Sequence, residues 1–300
     1  MAVVRDMIIA RITGGLGNQM FQYAACRTLA DRLGTDLFLD LSFYDLPPGE
    51  HTQRPFELDR VRTRYQRAAA DQLRPFIALR DHTWTRRTAR LFPFLYRSQR
   101  YLERQLFRYE PELGSIKQDT YIDGHWQSEL YFADHAETIR RDLCPREAFG
   151  ERNKTMLRSM EGIVPVSLHV RRGDYVTNAD ANRVHGTSDV TYFERAMKRV
   201  LELAPYAVFH VFSDDPEWAR KNLPALASLI FVEHNMGVAD HFDLLLMSAC
   251  HHHIIANSSF SWWGAWLNPR PNKLVIAPER WFRDPSVDTT DLIPANWVRL

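Results

Sequence analysis

Short apolar runs alternating with helical stretches constrain this chain more than any other feature, because such alternation builds parallel sheets. Residues 7–12 (MIIARI) read as a buried strand, residues 13–20 as a glycine-rich turn, 21–30 as a helix capped by Gly34, and 36–40 as the next strand. The second half repeats the pattern, with strands predicted over 164–170, 207–212, 231–232, 253–256 and 274–277 and helices over 191–203 and 242–250. Three of these strands run into polar clusters, at residues 171–174, 213–215 and 257–261. Open α/β sheets bind ligands at the carboxyl ends of their strands, so these clusters mark the expected site.

The 300 residues, 45% hydrophobic and 25% charged, suit two globular cores. The expected division is 1–155 and 156–300, with the boundary inside 147–162. An arginine-rich insert spans about 54–110 and reads as short amphipathic helices broken at Pro75 and Pro93. A formal charge of +1 argues against nucleic-acid binding. Cys26, Cys144 and Cys250 are dispersed and read as reduced thiols. No window reaches the ~20 apolar residues that span a bilayer. With the first strand starting at once, no signal peptide is expected and the default location is cytoplasmic.

The turn "TGGLGNQMF" imitates a dinucleotide fingerprint, but Met20 stands where its third glycine belongs. Asn18 and Gln19 instead offer carboxamides suited to sugar hydroxyls. In "HVRRGDY", strand alternation puts His169 and Arg171 on one face and Arg172 on the other. Arg171 suits a phosphate held through two parallel hydrogen bonds, while Asp174 reads as an ion-pair partner of Arg172. In "NSSFSWWGAWL", Ser258, Ser259 and Ser261 open a helix whose N-terminus favours anions, and Trp262, Trp263 and Trp266 read as core. Asp214 and Asp215 of "FSDD" could coordinate Mg²⁺, accept from guanine, or cap a helix at Pro216. The run His251-His252-His253 lies where a helix gives way to a strand, so its side chains should diverge rather than bind zinc.

Taken in order, "GGLGNQMFQYA", "DGHWQSELYF", "HVRRGDY", "FSDD" and "NSSFSWWGAWL" resemble the motifs of bacterial α-1,2-fucosyltransferases across nearly the whole chain. The resemblance implies a GT-B-like α/β fold, with two facing Rossmann-like domains of parallel sheets and an inter-domain cleft. It implies a cytoplasmic enzyme of the O-antigen kind that moves L-fucose from GDP-β-L-fucose to O2 of a terminal galactose, with inversion. It also implies no metal and no cofactor, GDP-fucose being a co-substrate. The donor would be held by His169, Arg171, Asp214, Asp215, Asn257, Ser258, Ser259 and Phe260, with Arg171 and Asp174 catalytic. Gly15, Asn18, Gln19, Trp126 and Gln127 would face the acceptor glycan. Related α-1,6-fucosyltransferases carry a glutamate beyond the RR-x-D element where this chain has none, which leaves Asp174 and His185 as candidate bases. The alternatives are a fucosyltransferase of the α-1,6 or Nod-factor kind and a non-catalytic nucleotide-sugar-binding protein. Arg86, Arg87, Arg90, Arg97, Arg100, Arg104 and Arg108, interleaved with apolar residues, form a segment suited to peripheral contact with an anionic membrane, or a solvated face balanced by Glu103, Glu110 and Glu112.

Overall fold

The computed structural model describes residues 7–46, 54–73, 76, 100–116, 119–173, 188–237 and 239–300. The chain divides into two compact units, Met1–Leu143 with Thr290–Leu292, and Cys144–Thr289 with Ile293–Leu300. Each unit is built on a parallel sheet, the α/β plan expected for a GT-B-like fold. The helix Glu151–Ser159 belongs with the second unit. A short return of the chain supplies the first unit with Asp291, whose carboxylate accepts from the Tyr109 amide (3.0 Å) and pairs with Arg108 (3.0 Å).

In the first unit, β1 (Met7–Arg11) lies between β2 (Asp36–Asp40) and β5 (Thr120–Asp123), and the short strands β3 (Gln66–Arg67) and β4 (Arg100–Leu102) form the edges. Helix α1 (Leu16–Leu33) crosses from β1 to β2 and is buried along most of its length, so it lacks a polar face until its last turn. It ends as predicted at Gly34, whose left-handed backbone (φ 65°) lets its amide reach the carbonyls of Ala30 and Asp31. The helix starts earlier than expected, at Leu16, so Asn18 and Gln19 lie in its first turn rather than in the glycine turn.

The arginine-rich insert also departs from expectation. Its described ends form strands β3 and β4 rather than helices alone. Pro75 and Pro93, with Arg86, Arg87, Arg90 and Arg97, lie outside the described residues. Of the remaining arginines, Arg100 pairs with Asp123 (2.9 Å), Arg104 with Glu110 and Glu112 (both 3.0 Å), and Arg108 with Asp291. Those three are committed to carboxylates of their own unit. Among the described residues, no helix is long and apolar enough to cross a membrane.

In the second unit the sheet runs β11 (Val298–Arg299), β10 (Val275–Ala277), β9 (His252–Ile254), β6 (Val164–Val170), β7 (Ala207–Ser213), β8 (Leu229–Val232). One face of the central strand β6 presents Val166, Leu168 and Val170 to the helix Val190–Leu203. That helix answers with Tyr192, Phe193, Ala196, Met197 and Val200, a stripe at helical spacing. Ser167 joins a buried polar row, its hydroxyl 2.8 Å from Nδ1 of His253, whose Nε2 lies 2.8 Å from the Asn268 amide nitrogen. That nitrogen also donates to the Cys250 carbonyl while Asn268 Oδ1 accepts from Arg270. Nε2 of His253 is therefore the acceptor and Nδ1 carries the proton to Ser167. His252 accepts from the Leu274 amide instead, so the histidine run diverges as expected. Among the described residues, no group of three or more His, Cys, Asp or Glu side chains is placed to hold a metal ion.

A second buried polar network ties the helix Glu151–Ser159 to the helix His241–Ala249. Asn153 and Asn235 exchange amide hydrogen bonds (2.9 and 3.0 Å), and Asn235 donates to Asp243 (2.7 Å). Burial raises the Asp243 carboxyl to about 7, against an ordinary 3.8. A carboxyl raised on folding stabilises the protein fully below its unfolded value and loses that contribution as pH rises through its folded value. Urea denaturation should therefore show stability falling between about pH 4 and 7, and Asp243→Asn, which keeps the acceptor oxygen, should flatten that slope. An unchanged slope would show that another group controls it.

Candidate active site

The carboxyl ends of β6, β7 and β9 gather the polar clusters of the second unit, because parallel strands all end on the same edge of the sheet. Arg171 follows β6 directly, and its guanidinium lies 3.0 Å from Oδ2 of Asp214, just beyond β7. The other Asp214 oxygen accepts from the Arg172 amide at 2.8 Å. One carboxylate thus fixes both the side chain of Arg171 and the backbone that follows it.

Asp215 has a different task. Its carboxylate accepts from the Trp218 amide (3.1 Å) and so caps the helix Pro216–Asn222, while its own amide donates to Ser213 Oγ (2.9 Å). Arg172 reaches the same carboxylate (3.5 Å) and lies 4.0 Å over the Trp218 ring. Among the described residues the acidic partner of Arg172 is Asp215. Asp174 and His185 lie outside the described residues.

His169 is the penultimate residue of β6 and lies within electrostatic reach of Arg171. It is buried (6% exposed) and its ring lies 5.9 Å from that of Phe260. Burial lowers its pKa to about 4, only partly opposed by the Asp214 charge and reinforced by Arg171, so the imidazole is neutral near pH 7. Its Nδ1 is buried with no hydrogen-bond partner among the described residues. Native proteins seldom leave such an atom unsatisfied, because the loss costs about 1–3 kcal/mol.

The third strand end supplies Asn257, Ser258 and Ser259. Asn257 donates to the Trp281 carbonyl (3.2 Å), which orients the loop. Ser258 takes the N-cap position of the helix Ser259–Leu267 but makes no side-chain cap bond, so the leading amides have no side-chain acceptor from it. Ser261 turns inward to the carbonyls of Ala256 and Ser258. Trp262, Trp263 and Trp266 are buried as expected, with Trp262 stacked on Trp266 and packed against Trp297. Gly264 lets this helix approach the helix His241–Ala249, since a Cβ there would stand 2.6 Å from Met247 Sδ.

The first unit places its predicted residues differently. Gly15 is the N-cap of α1, and Asn18 accepts from the Gln127 amide (2.8 Å), so those two carboxamides meet. Gln19 is fully buried. Its amide donates to the carbonyls of Gly14 and Pro55 and its oxygen accepts from the Glu57 amide, so it braces the turn and leaves little for a sugar. Trp126 is likewise a core side chain, 1% exposed and packed on Tyr101 and Tyr131 with a left-handed backbone (φ 54°). Sequence reading took Glu103 only as a counter-charge on a solvated face, but it accepts from the His125 and Trp126 amides (2.7 and 3.2 Å) and is raised to about 7, chiefly by burial. Sequence reading passed over Arg11 and Asp123, an ion pair (3.2 Å) at the carboxyl ends of β1 and β5. The strand-end signal that singled out the second unit's clusters would have found that pair too.

The profile of Glycosyl transferase family 11 matches residues 100–300. An Escherichia coli relative named alpha-1,2-colitosyltransferase is 33% identical over 98% of this chain and 99% of its own length. The E. coli O-antigen biosynthesis glycosyltransferase WbnK is 30% identical over 96% of this chain and 99% of its own. Galactoside alpha-(1,2)-fucosyltransferase 1 of Ateles belzebuth is 28% identical over 85% of this chain and 63% of its own. Among solved structures, a point mutant of Arabidopsis thaliana FUT1 in complex with GDP shares the fold, with a TM-score of 0.51 and 12% identity, over 91% of this chain and 70% of that one.

The tightest approach in the site tests its geometry. A Cβ at Gly173 would stand 2.6 Å from Asp214 Oδ2 and displace the carboxylate that holds Arg171. Gly173→Ala is expected to keep the fold, with an unfolding midpoint within a few degrees of the parent. It should weaken binding of GDP, the nucleotide the sequence resemblance implies, by about tenfold or more, the worth of one charge-assisted hydrogen bond. Calorimetric titration with GDP checks this, and unchanged affinity would show that the carboxylate's position does not matter.

Proposed function

This chain belongs to glycosyl transferase family 11, and within that family we propose that it transfers L-fucose from GDP-β-L-fucose to O2 of a terminal galactose, with inversion at the sugar. The observation that carries this reading is Arg171, held by Asp214 at the carboxyl end of β6 beside the buried, neutral His169. A cation fixed in that way suits a departing diphosphate. A neutral imidazole with an unsatisfied ring nitrogen suits a purine edge.

In the proposed reaction the acceptor oxygen forms a bond to the sugar's anomeric carbon while the bond from that carbon to the β-phosphate oxygen breaks, and GDP leaves. Negative charge grows on the phosphate during the step, and preorganised donors stabilise it without moving. Arg171 fills that role, aided by Ser258, Ser259 and the leading amides of the helix Ser259–Leu267. His169 and Phe260 hold the guanine, and Asp214 acts on the donor through Arg171, which it holds. Asp215, spent on its helix cap and on Arg172, acts by positioning. Asp174 is the proposed acceptor of the hydroxyl proton. Asn18 and Gln127, whose carboxamides already meet, are proposed to bond the acceptor glycan. No metal enters the proposal, because Asp214 and Asp215 are each engaged by arginine.

A second donor is favoured by one observation, the 33% identity to an alpha-1,2-colitosyltransferase. Colitose lacks the 3-hydroxyl of fucose, so the two readings differ by a single polar group on the donor sugar. Incubation with GDP-fucose or GDP-colitose and a panel of β-galactosides, followed by linkage analysis, decides between them. Turnover with GDP-fucose and a 1→2 linked product supports the first reading. Turnover with GDP-colitose alone supports the second, and neither turnover nor donor hydrolysis would point to a binding protein.

Arg171→Ala should lower turnover at saturating donor by about 10²–10³, the usual loss for one such donor, and Arg171→Lys should restore little because the planar fork is gone. Near-normal turnover in the alanine variant would remove Arg171 from the chemistry. Activity should persist in excess EDTA, whereas a loss reversed by Mg²⁺ or Mn²⁺ would return Asp214 and Asp215 to the role of metal ligands.

A further inference from the structure

Beside the donor loop, on the β10 side of the same sheet edge, lies an open cavity of about 360 Å³ that the proposed chemistry does not use. Its walls come from the start of the helix Val190–Leu203, from Asn257, from residues 278–283 and from the C-terminal Leu300. Its floor is firm. The Tyr192 hydroxyl donates to the carbonyls of Ile255 (2.7 Å) and Ile276 (3.1 Å), tying the helix to the ends of β9 and β10. The Glu279 amide donates to the Leu300 carbonyl, which closes one wall.

Three guanidinium groups line this cavity. Arg195, Arg280 and Arg283 face Asp189 and Glu279. Asp189 is spent on capping, accepting from the Tyr192 amide at 2.7 Å. None of the three arginines makes an ion pair among the described residues, unlike Arg100, Arg104, Arg108, Arg171 and Arg172. A further, independent feature is the Ser188 hydroxyl, which lines the cavity and is buried with no hydrogen-bond partner among the described residues. A donor with nothing to bond and unpaired guanidinium groups together suit a phosphate.

We propose that this cavity is an anion subsite that binds a phosphate or diphosphate ester on the acceptor, next to the loop that holds the donor. The inference rests on the transferase reading for the word acceptor, but the anion binding itself does not. The anion has two candidate sources, the acceptor's own ester and the diphosphate of the nucleotide, and Asn257 lies at the border between them. The open rim and its exposed arginines suit a group that arrives as part of a larger molecule.

Two arms test this. In the first, GDP-saturated protein is titrated with inorganic pyrophosphate at low salt. Saturable binding is expected, weakened about tenfold for each arginine removed in Arg280→Gln and Arg283→Gln and largely kept in the Lys variants. GDP affinity measured separately should stay unchanged in all of them, and unfolding midpoints verify that each variant is folded. In the second arm, galactosides with and without a phosphate on the aglycone are compared as acceptors. The variants should raise KM for the phosphorylated acceptor about tenfold and leave the neutral one alone. No pyrophosphate binding to GDP-saturated protein overturns the subsite. A loss of GDP affinity in the Gln variants overturns it too, by giving the cavity to the nucleotide. If the first arm succeeds and no acceptor is turned over, the transferase reading fails while the anion site stands.

Discussion

The Asp214 carboxylate is the interaction on which the site depends. One oxygen holds the Arg171 guanidinium and the other holds the Arg172 amide, so a single side chain at the end of β7 sets the loop at the end of β6. Both partners are about a fifth to a quarter exposed. An ion pair at that depth adds little net stability, because desolvation offsets much of the attraction. Its value is geometric, since it holds a planar cation in one orientation before any ligand arrives. The neighbouring Asp215 completes the arrangement by capping the next helix and holding Arg172 against Trp218.

This economy follows from parallel topology. β6 lies between β7 and β9, in register along its length with β7, so the ends of the three strands cannot avoid meeting. Beneath that edge the row of Ser167, His253 and Asn268 locks β6 to β9 with every ring nitrogen of His253 satisfied. His169, two residues further along β6, is also buried but keeps an unsatisfied Nδ1. The contrast is between a histidine used by the core and one proposed to meet the guanine.

The sequence made the sheets legible because strands buried on both faces read as apolar runs and crossing helices carry a distinct period. It missed β3, β4 and β11, which are two or three residues long and owe their pairing to neighbours rather than to any pattern of their own. Strand alternation correctly set His169 beside Arg171, but it could not say which acid pairs with which arginine. Asp174 is nearer in sequence to Arg172, whereas the sheet brings Asp215 to it across the β6–β7 boundary. Gln19 and Trp126 misled for a related reason. A carboxamide or an indole in a motif-rich loop looks available until burial shows it bracing a turn or filling a core. The pair Arg11 and Asp123 was readable by the strand-end rule but was not sought in the first unit.

The coupling between Arg171 and Asp214 can be measured directly by a double-mutant cycle on GDP affinity, using Arg171→Ala, Asp214→Asn and the two together. If the carboxylate acts by holding the guanidinium, removing it should matter little once the guanidinium is gone, so the double variant should bind GDP about as weakly as Arg171→Ala alone. Strictly additive losses would contradict the account, because they would mean that Asp214 and Arg171 meet the nucleotide independently.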